Sequence, residues 1–347
     1  MPNSRKSKGI SLKEVSRLAG VTQCTASRIL NKNPNYSYSK ATQERVVKIA
    51  EENGYRKSQL YKSLFTGKTN SAGVIIPVGE FYGKIVEGIH DELLKHNYAL
   101  VMGLNQNDYD NPNNSIEKKI IHRLNEHRVD GFIMRPTFDN ATDEHFKEII
   151  DMQIPLVVVD REVSSTYASY AGSDDFKGGR LAASHFIKLG HTKIIQFSGN
   201  PLHSAFRNRA QGFEDELIKN GVFPQTVNAN ISKEKIFERC MIIFSQKDHP
   251  TAIFCGNDLI AQIVYEALEE LRVSVPNEVS IIGFGNVTLS NCLRPKLTSI
   301  DQQPYRIGVN AAKLFLERVD DNDTIDRNPK REYSEVLLIE RESCKKL

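Results

Sequence analysis

The chain has 347 residues, 39% hydrophobic and 26% charged, with 21 Gly and 13 Pro, a composition that excludes collagen-like, coiled-coil and wholly disordered chains. No apolar run reaches the ~18 residues of a membrane-spanning helix, and the five Cys include no C-x-x-C pair, so no membrane, disulfide framework, metal or cofactor is expected. The net charge of +3 conceals an asymmetry: residues 1–70 carry 14 Lys+Arg against 4 Asp+Glu and the remainder is net negative, as for a polyanion-binding head on an acidic body.

In the basic head, Ile10-Ser11-Leu12-Lys13-Glu14-Val15 reads as a helix start. Ser11 is the expected N-cap, Glu14 is expected to reach back in a capping box, and Ile10 to staple onto Val15. Gly20 marks a sharp turn, and Thr22 caps a second helix from Gln23 to about Leu30. At ~100° per residue Ala26, Ile29 and Leu30 share one side, and Gln23, Cys24, Ser27 and Arg28 the other. A third helix begins at Ser39 and ends at Gly54. Two short helices about a glycine turn, with a third in support, predict a helix-turn-helix whose second helix enters the major groove. Gln23 and Arg28 suit bidentate base contacts. Thr22, Thr25 and Asn31 suit phosphate oxygens, which position without specifying.

Leu12-x-Glu14-Val15-x-x-Leu18-Ala19-Gly20-Val21-Thr22-x-x-Thr25-x-Ser27-Arg28-x-Leu30-Asn31, continued by Thr42-x-x-Arg45-Val46 and Asn53-Gly54-Tyr55, resembles the signature of the lactose/galactose-repressor (LacI/GalR) family of bacterial transcription regulators. The resemblance places base reading on Gln23, Cys24 and Arg28. It also implies a hinge over residues 58–70, in which Leu64 wedges into the minor groove. Lys57 and Tyr61 depart from the family's usual proline and alanine, and the Asn31–Ser39 loop is about two residues longer than usual.

From Ala72 onward strand and helix patterns alternate. Strands are predicted at 72–77, 98–104, 131–135, 156–160, 193–198, 252–255, 280–284, 297–300 and 336–340. Helices between them include 82–96, 114–126, 176–189 and 259–271. Short apolar runs such as Leu-Val-Val-Val suit strands buried on both faces, so an α/β body with parallel sheets in two lobes is expected.

The family resemblance sharpens this to a type I periplasmic-binding-protein-like fold with the effector in the interlobe cleft. It divides the chain into a DNA-binding domain (1–57), a hinge and linker (58–70), an N-terminal lobe (71–172 and 302–330) and a C-terminal lobe (173–301 and 331–347). The lobe crossings fall near 161–173, 300–303 and 328–333. Phe81 and Tyr82 are candidates for stacking on a ring. Asp160, Arg161, His203, Arg209, Asn257 and Asn286 are candidates for its polar groups. Where the family commonly has an aspartate, this chain has Gly285. With Arg161 and Arg209 in the cleft and that acid missing, an acidic or phosphorylated sugar is expected about as readily as a neutral one.

The function expected is a cytoplasmic, nucleoid-associated repressor, binding a near-palindromic operator as a homodimer under control of a sugar-like effector. No leucine heptad follows the last strand, so a tetramer is not expected. The body alone would also suit a solute-binding protein for sugar uptake, but the head and the lack of a signal-like segment point away from it. No G-x-S-x-G, H-E-x-x-H or G-K-[ST] motif supports an enzyme.

Overall fold

The computed structural model describes residues 10–31, 35–55, 68–105, 115–227, 233–320 and 328–347. Two compact units divide after Thr69.

The first unit holds α1 (Leu12–Leu18), α2 (Gln23–Leu30) and α3 (Lys40–Glu52). Each begins at a hydroxyl cap: Ser11, Thr22 and Ser39 accept hydrogen bonds from the amides of Glu14, Thr25 and Thr42, satisfying N–H groups that a helix start leaves open. The capping box is only half formed. The Glu14 carboxylate lies 2.6 Å from Arg17, where it meets a full opposite charge one turn away instead of an exposed amide. Val15, Ala19, Ala26, Ile29, Val46 and Ala50 form the core, with Ile10 and Leu30 packed at its margin. Gly20 has φ +63° in the turn between α1 and α2, a conformation that disfavours side chains.

The second unit contains two six-stranded sheets. One is built from β1 (Ser71–Ile76), β2 (Ala99–Leu104), β3 (Phe132–Met134), β4 (Leu156–Val159), β5 (Ser169–Ser173) and β11 (Arg331–Ser334). The other comprises β6 (Ile194–Phe197), β7 (Gln225–Val227), β8 (Ala252–Cys255), β9 (Ser280–Phe284), β10 (Thr298–Asp301) and β12 (Leu337–Ile339). Their orders, β11-β5-β4-β3-β1-β2 and β12-β10-β9-β8-β6-β7, repeat one doubly wound pattern. Among the described residues, neighbouring strands run parallel except β10 with β12.

The connecting helices are α4 (Glu80–Lys95), α5 (Ser115–Glu126), α6 (Lys147–Asp151), α7 (Asp175–Lys188), α8 (Ser204–Lys219), α9 (Lys233–Phe244), α10 (Asp258–Glu270), α11 (Thr288–Cys292) and α12 (Pro304–Asp320). Strand residues alternate between two cores. Val74 and Ile76 pack with Ile85 and Ile89 of α4 and Phe315 of α12, while Ile75 packs with Ile121 and Leu124 of α5. A strand covered on both faces must be apolar throughout, which is why these runs do not alternate.

Two expected boundaries move. β5 lies in the first sheet, so the first crossing comes after Ser173 and not within 161–173. β11 pairs with β5, so 331–334 belongs to the first lobe and the third crossing lies beyond Ser334, not at 328–333. The cause is that β11 is a polar, exposed edge strand, Arg-Glu-Tyr-Ser, without the apolar run that marks the central strands.

Candidate DNA-reading face and effector cleft

On α2 the side away from the core carries Gln23 and Cys24, both exposed, and Arg28, half-buried. Cys24 and Arg28 stand one turn apart and share a face. The Thr22 and Thr25 hydroxyls lie 3.0 Å apart, and the Asn31 amide donates to Ser27 at 3.2 Å. All three polar groups expected at phosphates are thus partly engaged in holding the ends of α2. Leu64 lies outside the described residues.

In the second unit the sheet order reverses between β1 and β3 and again between β6 and β8. In open α/β sheets, the crevice beyond the carboxyl ends of the strands at such a reversal is where ligands bind. The candidate residues follow these ends. Phe81 and Tyr82 come after β1, Asp160 and Arg161 after β4, His203 after β6, Asn257 after β8 and Asn286 after β9.

Four of them meet in one cluster with two residues that sequence reasoning missed, Arg135 and Asp139. The Tyr82 hydroxyl donates to Asp160 at 2.9 Å, and Arg135 lies 3.4 Å from the same oxygen. Arg161 donates to the Thr137 carbonyl and lies 3.1 Å from Asp139. His203, from the other lobe, contacts Arg161 and Asp139, each at 3.5 Å. Asp139 also accepts from the Ser204 amide at the start of α8. Burial alone would raise the Asp139 carboxyl, but the neighbouring His203 ring, the bond from the Ser204 amide and the Arg161 charge hold it below its usual value. Burial and the neighbouring Arg135 lower Arg161; burial raises the Tyr82 hydroxyl, with the Asp160 charge adding to it.

Arg209 stands in a second cluster. Its Nε lies 2.9 Å from Asp175, Nη1 donates to the Gly256 carbonyl at 2.9 Å, and the guanidinium lies 3.9 Å from the Phe284 ring centre. Gln302 donates to Ser173 and Asp175. Asp175 is buried, and burial pushes its carboxyl up to about 6 against the opposing pull of Arg209. Asp175 was not singled out in the sequence, although its place after a strand and at the first turn of α7 was a usable signal.

Each candidate arginine is thus paired with an aspartate. Asn257 caps α10 through a bond from the Ile260 amide. Asn286, at φ +51°, joins Asp301 to Arg341. Phe81 and Asn286 line a groove of about 550 Å³ between the lobes, together with Lys84, Asp301 and Tyr305. Gly285 has φ +123°, so the missing aspartate reflects a backbone that only glycine adopts readily.

Two carboxylates of the first lobe bind helix starts of the second. Asp139 takes the α8 amide described above, and Glu80 accepts from the Thr288 amide at 2.8 Å and its hydroxyl at 2.7 Å, at the start of α11. Among the described residues no cluster of three metal-ligating side chains occurs, and no helix is long and apolar enough to cross a membrane.

Residues 11–58 match the description "Bacterial regulatory proteins, lacI family", and residues 183–344 match a periplasmic binding protein-like domain. The HTH-type transcriptional repressor PurR of Vibrio vulnificus (strain CMCP6) is 30% identical over 346 residues, covering 97% of this chain and 99% of the relative. The chain belongs to the lacI family. It is a DNA-binding transcriptional repressor with an effector-binding body, not an enzyme. PurR of Haemophilus influenzae (strain PittEE) is also 30% identical, over 90% of this chain and 92% of its own length.

The fold of this lacI-family chain is that of the Lac repressor dimer bound to operator and the anti-inducer ONPF, with a TM-score of 0.78 at 22% identity over 97% and 100% of the two chains. A LacI family transcriptional regulator from Enterococcus faecium with bound ribose matches at 27% identity and a TM-score of 0.66, over 80% and 99%.

Proposed function

We propose that this repressor binds a near-palindromic operator as a cytoplasmic homodimer and is controlled by a small polyhydroxyl ring in the interlobe cleft. The observation that carries the effector reading is the joining of Tyr82, Asp160 and Arg161 of one lobe with His203 of the other. Polar side chains from both lobes converge beyond the strand ends, where a ligand would reorganise them. The similarity to a ribose-bound regulator supports a sugar. Of the neutral and the acidic or phosphorylated sugars that the sequence left about equal, the matched arginines favour the neutral one, because an anion would have to displace Asp139 or Asp175.

In this reading Gln23, Cys24 and Arg28 face base edges, Thr22, Thr25 and Asn31 face phosphates, and Leu64 lies in the linker. The DNA-binding domain is 1–57 and the linker 58–70. The lobes are 71–173 with 302–334, and 174–301 with 335–347. A homodimer is supported by the edge strand β2, where Met102 and Leu104 are 42% and 53% exposed. Apolar side chains on an open sheet edge favour pairing with another chain.

The test is a thermal-shift screen against neutral sugars, sugar acids, sugar phosphates and purines. A ligand at 100 times its Kd adds ~2.7 kcal/mol of stability. A neutral-sugar hit that also alters the anisotropy of a selected operator duplex supports the reading. A hit restricted to sugar acids or phosphates overturns the choice of ligand class, and a purine-only hit overturns the sugar.

A further inference from the structure

The segment from α2 to α3, about two residues longer than the family's usual loop, places an aromatic ring against the arginine expected to read a base. The Arg28 guanidinium carbon lies 3.7 Å from the centre of the Tyr36 ring. The Tyr38 side chain is a second neighbour of Arg28 and favours its charged form. Tyr38 is anchored: its ring packs on the core of the head, and its carbonyl accepts from Gln43 of α3 at 2.9 Å. Tyr36 itself is 44% exposed, so core packing does not explain its position.

A free arginine samples many rotamers, and its planar fork reads a guanine edge only in one orientation. A ring on one face of the guanidinium restricts that plane while leaving its N–H groups available. We propose that Tyr36 is a positioning residue for base reading by Arg28. It holds the guanidinium in a fixed plane before DNA arrives and thereby sharpens discrimination at one base pair of each half-site. The inference rests on Arg28 being a base reader, and the experiment separates the two.

The full chain is used to select an operator from random duplexes, and affinities are measured for that duplex, for each single-base-pair variant and for nonspecific DNA. Arg28→Ala should lose discrimination at one base pair by roughly tenfold or more. Tyr36→Ala should lose roughly two- to fivefold at that same pair, the worth of an exposed cation–π contact, with nonspecific affinity unchanged. Tyr36→Phe, which keeps the ring, should match wild type, and Tyr36→Ala should add nothing in an Arg28→Ala background.

If Arg28→Ala loses discrimination and Tyr36→Ala does not, the positioning role is overturned while base reading stands. Sharper discrimination in Tyr36→Ala overturns it too, since Tyr36 would then be withholding Arg28 from DNA. An equal loss on all duplexes that persists without Arg28 overturns it in favour of a direct backbone contact. If Arg28→Ala keeps selectivity, base reading by Arg28 falls and the inference falls with it.

Discussion

Two glycines five residues apart on α4 give opposite predictions for the same substitution. Gly88 faces α12. A Cβ there would overlap the Tyr305 carbonyl oxygen and come within 3.0 Å of the Val309 amide nitrogen. Carbon atoms in contact sit ~3.5–4.0 Å apart, so Gly88→Ala must push α4 and α12 apart. Backbone atoms obstruct the methyl, so no rotamer change relieves it. Overpacking of this kind costs ~1–3 kcal/mol, partly offset by the ~1 kcal/mol helix preference of Ala over Gly. A net loss of up to about 2 kcal/mol remains, or up to roughly 8 °C in Tm at ~2–4 °C per kcal/mol. Gly83 is exposed, at negative φ, and a methyl carbon added there would meet no atom within 4 Å. Gly83→Ala should therefore raise Tm by roughly 1–4 °C through helix propensity alone. Calorimetry of both variants without ligand is the assay. If the two shift Tm in the same direction, the close approach of α4 and α12 is wrong. Phe81 and Tyr82 stand on the first turn of α4, so a displaced helix should also weaken effector binding in Gly88→Ala.

Asp175→Asn should flatten the acid side of the stability profile. Burial raises Asp175 to about 6, so the folded chain holds this proton more tightly than the unfolded one. Wild type should then lose stability relative to Asp175→Asn as pH rises from about 4 to about 6, read by urea unfolding across that range; a growing wild-type advantage would reverse the sign. Gly285→Asp should cost ~1–3 kcal/mol, because φ +123° strains any side chain, and should not tighten sugar binding. Tighter binding in a calorimetric titration would show that the missing carboxylate, and not the backbone, sets ligand class. Glu80→Ala removes the bonds to the start of α11, and should weaken effector binding roughly twofold to fivefold. Unchanged affinity would mean that this contact does not bias the lobes.

The head was nearly all legible because its information is local. Ser11, Thr22 and Ser39 act on amides three residues ahead, a relation visible in sequence, and Ala26 and Ile29 follow the helical period. The central strands were legible because burial on both faces leaves an apolar run. β5, β7 and β11 were not singled out. Gln-Thr-Val is too short for a pattern, Arg-Glu-Tyr-Ser is polar at an edge, and Ser-Tyr-Ala-Gly-Ser lacks branched residues. The strand ends led to Tyr82, Asp160, Arg161 and His203, but not to the partners that determine their chemistry. Arg135 meets Asp160 across 25 residues and Asp175 meets Arg209 across 34, and no periodicity encodes such pairs. The ligand class was left open between acidic and neutral sugars for that reason. Two arginines count as unsatisfied charge only until their aspartates are found.

The same pairings indicate how a ligand could act at a distance. A ligand moves an equilibrium only by binding one arrangement better than another. In the cleft, Arg161 and His203 meet across the lobes around Asp139, and Asp139 in turn holds the start of α8, while Glu80 holds the start of α11. Partial positive charge at helix starts makes both carboxylates natural partners for them. Among the described contacts that join the lobes, these two flank the cleft, and a ring bound among Tyr82, Asp160 and Arg161 would reorganise one of them directly. Strengthening the Asp139 contact would favour closure and weakening it would favour opening. The direction of control over DNA then follows from which of the two a given ligand does, not from its affinity alone.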